Sequence, residues 1–345
     1  MVPVPVKRDL ARPCPPAAMC AGNAHRPRVA VIGECMIELN GEPFGSLCQS
    51  FGGDTLNTAL YLARIARELV SVSYISVMGV DILSEGIVER WRREGIDTTR
   101  VLRDPQRLPG LYFISVDEHG ERNFMYWRAD SAARYLLQHA EFERISGELS
   151  SFDLVFFSGI SLAILPAKDR EVFIERLRGL ANSGTAMAFD TNFRPALWRD
   201  TQCARIALEA VFPNLSLMLT SFEDEQRLWG DDSPNTTIAR LHDAGVKTVV
   251  LKLGASGALY SDGTGVERIA ATPTASVVDT TAAGDSFNAG FIACWLAGNE
   301  LSVCCRAGAM LSRLVIGHRG AIIPAASTPV LSELFSRETA GGRTP

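Results

Sequence analysis

What most constrains this chain is a recurring short apolar run, rich in β-branched residues, that stops at a small or polar residue and is followed by a stretch of helical character. Arg28-Val29-Ala30-Val31-Ile32-Gly33-Glu34 is the first, and the pattern returns at 72–79, 152–160, 186–190, 217–221 and 248–258. Runs that are apolar throughout, rather than alternating, predict strands buried on both faces. Helices are expected between them over 82–94, 169–181, 222–229 and 306–316. Such alternation predicts an α/β fold in which helices flank a mainly parallel central sheet. The first run could open a dinucleotide site, but Gly33-Glu34-Cys35-Met36-Ile37-Glu38 lacks the further glycines a pyrophosphate loop needs.

The pattern breaks between Pro109 and Arg128. Leu111 to Val116 and Asn123 to Arg128, joined by Asp117-Glu118-His119-Gly120, predict a β-hairpin. With the alternating segment from Met36 to Leu47 it can build a small sheet standing off the main one. Tyr126 and Arg128 alternate onto one face of the strand. An arginine there suits a carboxylate and a tyrosine suits a hydroxyl or carbonyl, although an exposed strand carrying Tyr112, Tyr126 and Arg128 has the same pattern.

Two stretches carry candidate chemistry. In Asp279-Thr280-Thr281-Ala282-Ala283-Gly284-Asp285-Ser286-Phe287, small residues lead into a segment where Phe287, Phe291 and Trp295 recur every four positions, which predicts a helix with one buried face. Open backbone N–H groups at its start make a seat for a phosphate. Asp285 beside that seat suits a base that takes a proton from a hydroxyl while the amides of Ala282, Ala283 and Gly284 hold charge on a transferring phosphoryl group. An N-cap aspartate on an ordinary helix is the plainer alternative. In Gly52-Gly53-Asp54-Thr55-Leu56-Asn57, two glycines permit close approach of a ligand, and Asp54 and Asn57 point polar groups into one space. Asn192 and Arg194 follow the strand end at Asp190, where ligands of parallel sheets gather.

These motifs, in this order, resemble the ribokinase-like (PfkB) sugar kinases: G-G-D-T-L-N as the first signature and D-T-T-A-A-G-D-S-F as the second. The G-G-D-T-L-N form, L-P-G-L-Y, G-E-R-N-F-M-Y-W-R, F-D-T-N-F-R-P-A-L-W and R-G-A-I-I-P are similar to the branch that phosphorylates 2-keto-3-deoxygluconate. The resemblance covers about 28–324. It implies a ribokinase-like three-layer fold over 28–330 with a β lid at about 36–50 and 108–128, and transfer of the ATP γ-phosphate to a sugar-acid hydroxyl with Asp285 as base. Gly52, Gly53, Asp54 and Asn57 would hold the sugar, and Tyr112, Tyr126, Arg128, Asn192 and Arg194 its acid end or neighbouring oxygens. Ser221, Lys252, Gly254, Ser256, Gly257 and Gly284 would meet the nucleotide. Glu225 would order water on Mg2+, although Phe222 stands where relatives of this type carry an Asn. A kinase for another sugar, or a sugar-binding regulator without catalysis, remains an alternative at this point.

The net charge of −5 offers no basic field for nucleic acid, and no apolar run reaches the length of a membrane span. Eight cysteines without C-x-x-C spacing are expected to be reduced thiols, mostly in the core, which suggests a cytoplasmic protein. Residues 1–27, proline-rich and without an apolar core, are expected to be a disordered extension, and 331–345 a weakly ordered tail. A free edge on the small sheet suggests homo-oligomerisation through it.

Overall fold

The structure is a computed structural model that describes residues 26–116, 122–271 and 276–334. Its strands are β1 (Arg28–Ile32), β2 (Met36–Gly41), β3 (Leu47–Gly52), β4 (Ser71–Gly79), β5 (Val101–Asp104), β6 (Gly110–Val116), β7 (Arg122–Trp127), β8 (Leu154–Ser158), β9 (Ala186–Asp190), β10 (Leu217–Ser221), β11 (Val249–Lys252), β12 (Ala258–Ser261) and β13 (Val266–Ile269). Its helices are α1 (Asp54–Ile65), α2 (Ile82–Arg93), α3 (Phe142–Glu148), α4 (Gly159–Ala163), α5 (Ala167–Asn182), α6 (Thr201–Glu209), α7 (Phe222–Trp229), α8 (Pro234–Asp243), α9 (Ala283–Leu296) and α10 (Leu301–Ile316).

Nine strands form the main sheet in the order β13-β12-β11-β10-β9-β8-β1-β4-β5. From β5 to β11 every pairing is parallel, and only β12 and β13 turn back antiparallel. Side chains of each strand alternate between two cores. In β1, Val29 and Val31 join the core shared with α1, α2, α9 and α10, whereas Ala30 and Ile32 join the one shared with α3 to α8. This makes the expected helix–sheet–helix sandwich. The chain leaves β1 for β4 on one side and takes up β8 on the other, so the direction of sheet growth reverses at β1, a place where α/β folds open a crevice.

The smaller sheet, β3-β2-β6-β7, uses both segments expected for it, though the first contributes two strands. Tyr112 pairs with Tyr126 across β6 and β7, and with Glu38 across β6 and β2. The expected turn at 117–120 lies outside the described residues.

Three expectations change. Helix α9 is buried from Ser286 to Leu296 without a polar face, because α1 packs beside it and α10 covers it. The approach to α10 is so close that a Cβ on Gly290 would lie 2.7 Å from the Ala307 carbonyl oxygen, and one on Gly308 2.7 Å from that of Phe287. The last helix starts at Leu301, not 306. The tail expected from 331 begins instead with a helical turn over 331–334, because Leu331 and Leu334 are buried in the α9/α10 core; 335–345 lie outside the described residues. Of the expected extension, 1–25 lies outside them too, while Pro27 already accepts the Ser71 amide at 2.8 Å. Cys35, Cys294, Cys304 and Cys305 are buried free thiols, whereas Cys48 is exposed.

Candidate active site

The C-terminal ends of β1, β9, β10 and β11 deliver Glu34, 190–194, 221–224 and 252–257 to one edge of the main sheet, where α1 and α9 both begin. Ala282 caps α9 with a left-handed backbone, φ +60°, a conformation that costs a residue bearing a Cβ about 1–2 kcal/mol. The Ala283 amide bonds the Thr280 carbonyl at 3.2 Å and the Ser286 amide closes the first helical bond, to Ala282, at 2.9 Å. Among the described residues the amides of Ala282, Gly284 and Asp285 are therefore the open donors at the positive end of the helix.

Asp285 stands in this first turn and keeps part of its surface open. Asn57 Nδ2 donates to its Oδ2 at 2.8 Å, and Thr58 Oγ1 donates to its carbonyl at 3.2 Å, so α1 fixes it from the side. Burial pushes its carboxyl up to about 8, helped by the charges of Asp54 and Asp190, while the Asn57 bond and Lys252 oppose the rise. Asp54 accepts from Asn192 Nδ2 at 2.7 Å, and Asn192 itself takes a positive φ of 34°.

The two glycines ahead of α1 are there for space. A Cβ on Gly53 would stand 2.2 Å from the Glu34 carbonyl oxygen, and one on Gly52 would stand 2.8 Å from the Tyr112 hydroxyl. The first keeps β1 and α1 in contact; the second brings the small sheet down onto the glycine turn. Tyr112 donates to the buried Glu38, and burial together with that neighbouring charge pushes its phenol up. Its ring lies 6.0 Å from that of the half-exposed Tyr126. Arg128, 5.9 Å from the Tyr126 ring, pairs with the buried Glu34, which also accepts from Ser131. Two buried polar atoms here, Asn57 Oδ1 and Arg128 Nε, have no hydrogen-bond partner among the described residues, a shortfall that ligand oxygens or hydroxyls can fill.

On the other side, Lys252 Nζ reaches Asp190 Oδ2 at 2.9 Å and Asn288 Oδ1 at 3.1 Å, and lies 3.4 Å from where a Gly284 Cβ would be. Beyond it, Gly254, Ala255 and Ser256 form an exposed turn closed by Gly257 at φ +93°. Ser221 caps α7 and donates to Asp224 Oδ2 at 2.9 Å. Burial pushes Asp224 up to about 6, Asp190 adds to the rise, and Arg194, 3.7 Å away with half its side chain exposed, works against it.

Glu225 is placed differently from the water-ordering role expected of it. It is fully buried, accepts from Thr191 and Thr220 on one oxygen, and pairs with Arg240 at 2.7 Å on the other. Its visible work is to tie the 191–194 loop to β10 and α8.

Asp285 with Asn57, Asp54 with Asn192, Lys252 with the start of α9, and Gly52 with Tyr112 are thus brought together. No hydrogen bond among the described residues joins Tyr126 or Arg128 to Asp285. Sequence reasoning missed Glu34, Glu38, Asp190, Asp224 and Asn288. Two of them carried a signal: Asn288 lies one turn after Asp285 on the same helix face, and Glu38 shares a strand face with Met36.

The chain matches the profile described as pfkB family carbohydrate kinase over residues 26–328. It is 45% identical over 312 residues to the 2-dehydro-3-deoxygluconokinase of Haemophilus influenzae, covering 90% of this chain and 99% of that one. The enzyme of the same name from Escherichia coli K12 is 40% identical over 306 residues, 88% and 99% of the two chains. Among solved structures, Xylella fastidiosa fructokinase with bound ATP superposes with a TM-score of 0.78 at 21% identity, covering 92% of this chain and all of that one, a likeness of fold. The sequence match and the shared architecture agree, and the chain belongs to the pfkB family of carbohydrate kinases.

Proposed function

We propose that this protein transfers the γ-phosphoryl group of ATP to the 6-hydroxyl of 2-keto-3-deoxy-D-gluconate, giving 2-keto-3-deoxy-6-phosphogluconate. The observation that carries the reading is Asp285, a carboxylate held at the open N-terminus of α9 by Asn57 with its pKa near 8. A base of that pKa is well matched to a hydroxyl at physiological pH. The substrate assignment rests on relatives 40–45% identical along nearly their whole length.

In the reaction Asp285 takes the hydroxyl proton as the O6–P bond forms, and the bond from γ-phosphorus to the bridging oxygen breaks with its electron pair leaving on ADP. The amides of Ala282, Gly284 and Asp285, rather than the hydrogen-bonded Ala283 amide, hold the phosphoryl oxygens. Asp54, Asn57 and Asn192 bind sugar hydroxyls over the Gly52-Gly53 floor. Tyr112, Tyr126, Arg128 and Arg194 recognise the acid end. Glu34 holds Arg128 through Nη2, which leaves the remaining guanidinium donors for it. Ser221, Lys252 and the 254–257 turn line the nucleotide side. The small sheet serves as a lid that excludes water on closing, and its β7 edge, with Phe124, Met125 and Trp127 exposed, offers a surface for a second copy of the chain.

Mg2+ travels with the nucleotide and, when bound, neutralises phosphate charge. No group of three or more potential ligands is gathered among the described residues, which fits an ion held by phosphates, water and one or two carboxylates. Asp224, at the start of α7 beside Ser221, is the carboxylate that fits, since both oxygens of Asp190 are taken by the Asn192 amide, Lys252 and Asn288. Among the described residues no helix is long and apolar enough to cross a membrane, and a cytoplasmic location fits a kinase that draws on ATP.

ADP release with ATP and Mg2+ against 2-keto-3-deoxygluconate, gluconate, fructose and ribose tests the assignment. Turnover selective for the keto-deoxy acid is expected. Preference for a neutral sugar would reject the role of the arginines, and no turnover with any of the four would reject the reading.

A further inference from the structure

Lys252 is the only ammonium seen at the start of α9 among the described residues, and two buried side chains of other elements hold it. Asp190 ends β9 and is 6% exposed; Asn288 lies in the second turn of α9 and is 1% exposed. The three close a ring: Lys252 Nζ donates to Asp190 Oδ2 at 2.9 Å and to Asn288 Oδ1 at 3.1 Å, and Asn288 Nδ2 donates to Asp190 Oδ2 at 2.6 Å. A lysine side chain has four rotatable bonds, and without such a clamp its charge would spread over many positions.

The ring also fixes which way the charge faces. Two of the three ammonium donors are used inside, and Nζ stands 3.4 Å from the place a Gly284 side chain would fill, beside the first turn of α9. Its third donor is left for that space. An asparagine offers both partners at once: its oxygen accepts from the cation and its amide satisfies the carboxylate, so Asp190 does not draw the full charge of Lys252.

We propose that Asn288 is a positioning residue that acts through Lys252, aiming its ammonium at the transferring phosphoryl group. The inference rests on the kinase reading above. It also gives that reading a feature its motifs did not contain, because Asn288 touches neither the sugar residues nor the nucleotide turn.

The test is a double-mutant cycle of Asn288→Ala and Lys252→Met, read as kcat and KM for ATP with wild type as the reference. Turnover by the wild type establishes the reading independently of the cycle. Asn288→Ala is expected to lower kcat/KM for ATP by about 10- to 100-fold, the size of one lost charge-assisted contact. In the Lys252→Met background the same change should cost less than about threefold. A side chain that only packs would lower thermal stability equally in both backgrounds and leave the ATP parameters alone. An equal loss of kcat/KM in both backgrounds, or no loss in either, would overturn the proposal. Should Asn288→Ala fail to fold, Asn288→Ser keeps a small polar group and carries the same cycle.

Discussion

Asp285 stores a pH-dependent strain that substitution can release. An acid whose pKa rises on folding contributes fully to stability below its unfolded value and loses that contribution as pH climbs through its folded value. Here the window runs from about 4 to about 8, because the ordinary value is 3.8 and the folded one about 8. At about 1.4 kcal/mol per pH unit the loss by pH 8 has a ceiling of about 5 kcal/mol. The carboxyl keeps part of its surface open to solvent, which lessens both the cost of burial and the repulsion from Asp54 and Asp190, so about 2–3 kcal/mol is the expected size. Asn mimics the protonated acid and can still accept from Asn57. Denaturant unfolding of wild type and Asp285→Asn at pH 4.5 and pH 8 should therefore show nearly equal stabilities at the lower pH and a more stable variant at the higher one. A difference that does not change with pH, or a variant less stable at pH 8, would refute this account of the carboxyl's surroundings.

The same carboxyl sets the pH–rate profile. The kcat/KM for 2-keto-3-deoxygluconate should rise with pH to a limb near 8, and Asp54→Asn, which removes a neighbouring negative charge, should move that limb down while raising the sugar KM. Arg128→Met should lower kcat/KM for the acid by about 100-fold while changing the ATP KM by less than about threefold, as steady-state kinetics can check. The glycine pair should separate in thermal melts. Gly53→Ala drives a Cβ into the Glu34 backbone and should cost about 2–4 kcal/mol, whereas Gly52→Ala pushes the Tyr112 hydroxyl off the buried Glu38 and should cost about 1–2 kcal/mol.

Much of this was legible in the chain because it was local. Buried strands announce themselves as apolar runs, and the order of runs and helices was enough for a mainly parallel sheet. Asp285 could be placed in a first helical turn because Ala282 to Gly284 leave little else for that stretch to do. What was hidden depends on contacts distant in sequence. The Asn57 bond to Asp285 crosses 228 positions, and the Asn288 bond to Asp190 crosses 98. Periodicity cannot say which polar residue meets which across such spans. It also misjudged α9: a four-residue repeat of aromatics promised one buried face, while Ala289, Ala293 and Cys294, small enough to admit neighbouring helices, bury the remainder. Glu225 shows the same limit from the other side. An acidic helix start looks the same from sequence whether its carboxylates face a ligand or, as here, an arginine supplied by the next helix.

The central claim is that Asp285 is the base of a sugar-acid kinase, and the most direct measurement is kcat with saturating ATP, Mg2+ and 2-keto-3-deoxygluconate for wild type and Asp285→Asn. Loss of a positioned general base predicts a fall of about 10²- to 10⁴-fold with the sugar KM little changed. A variant that keeps kcat within about tenfold of wild type would contradict the claim.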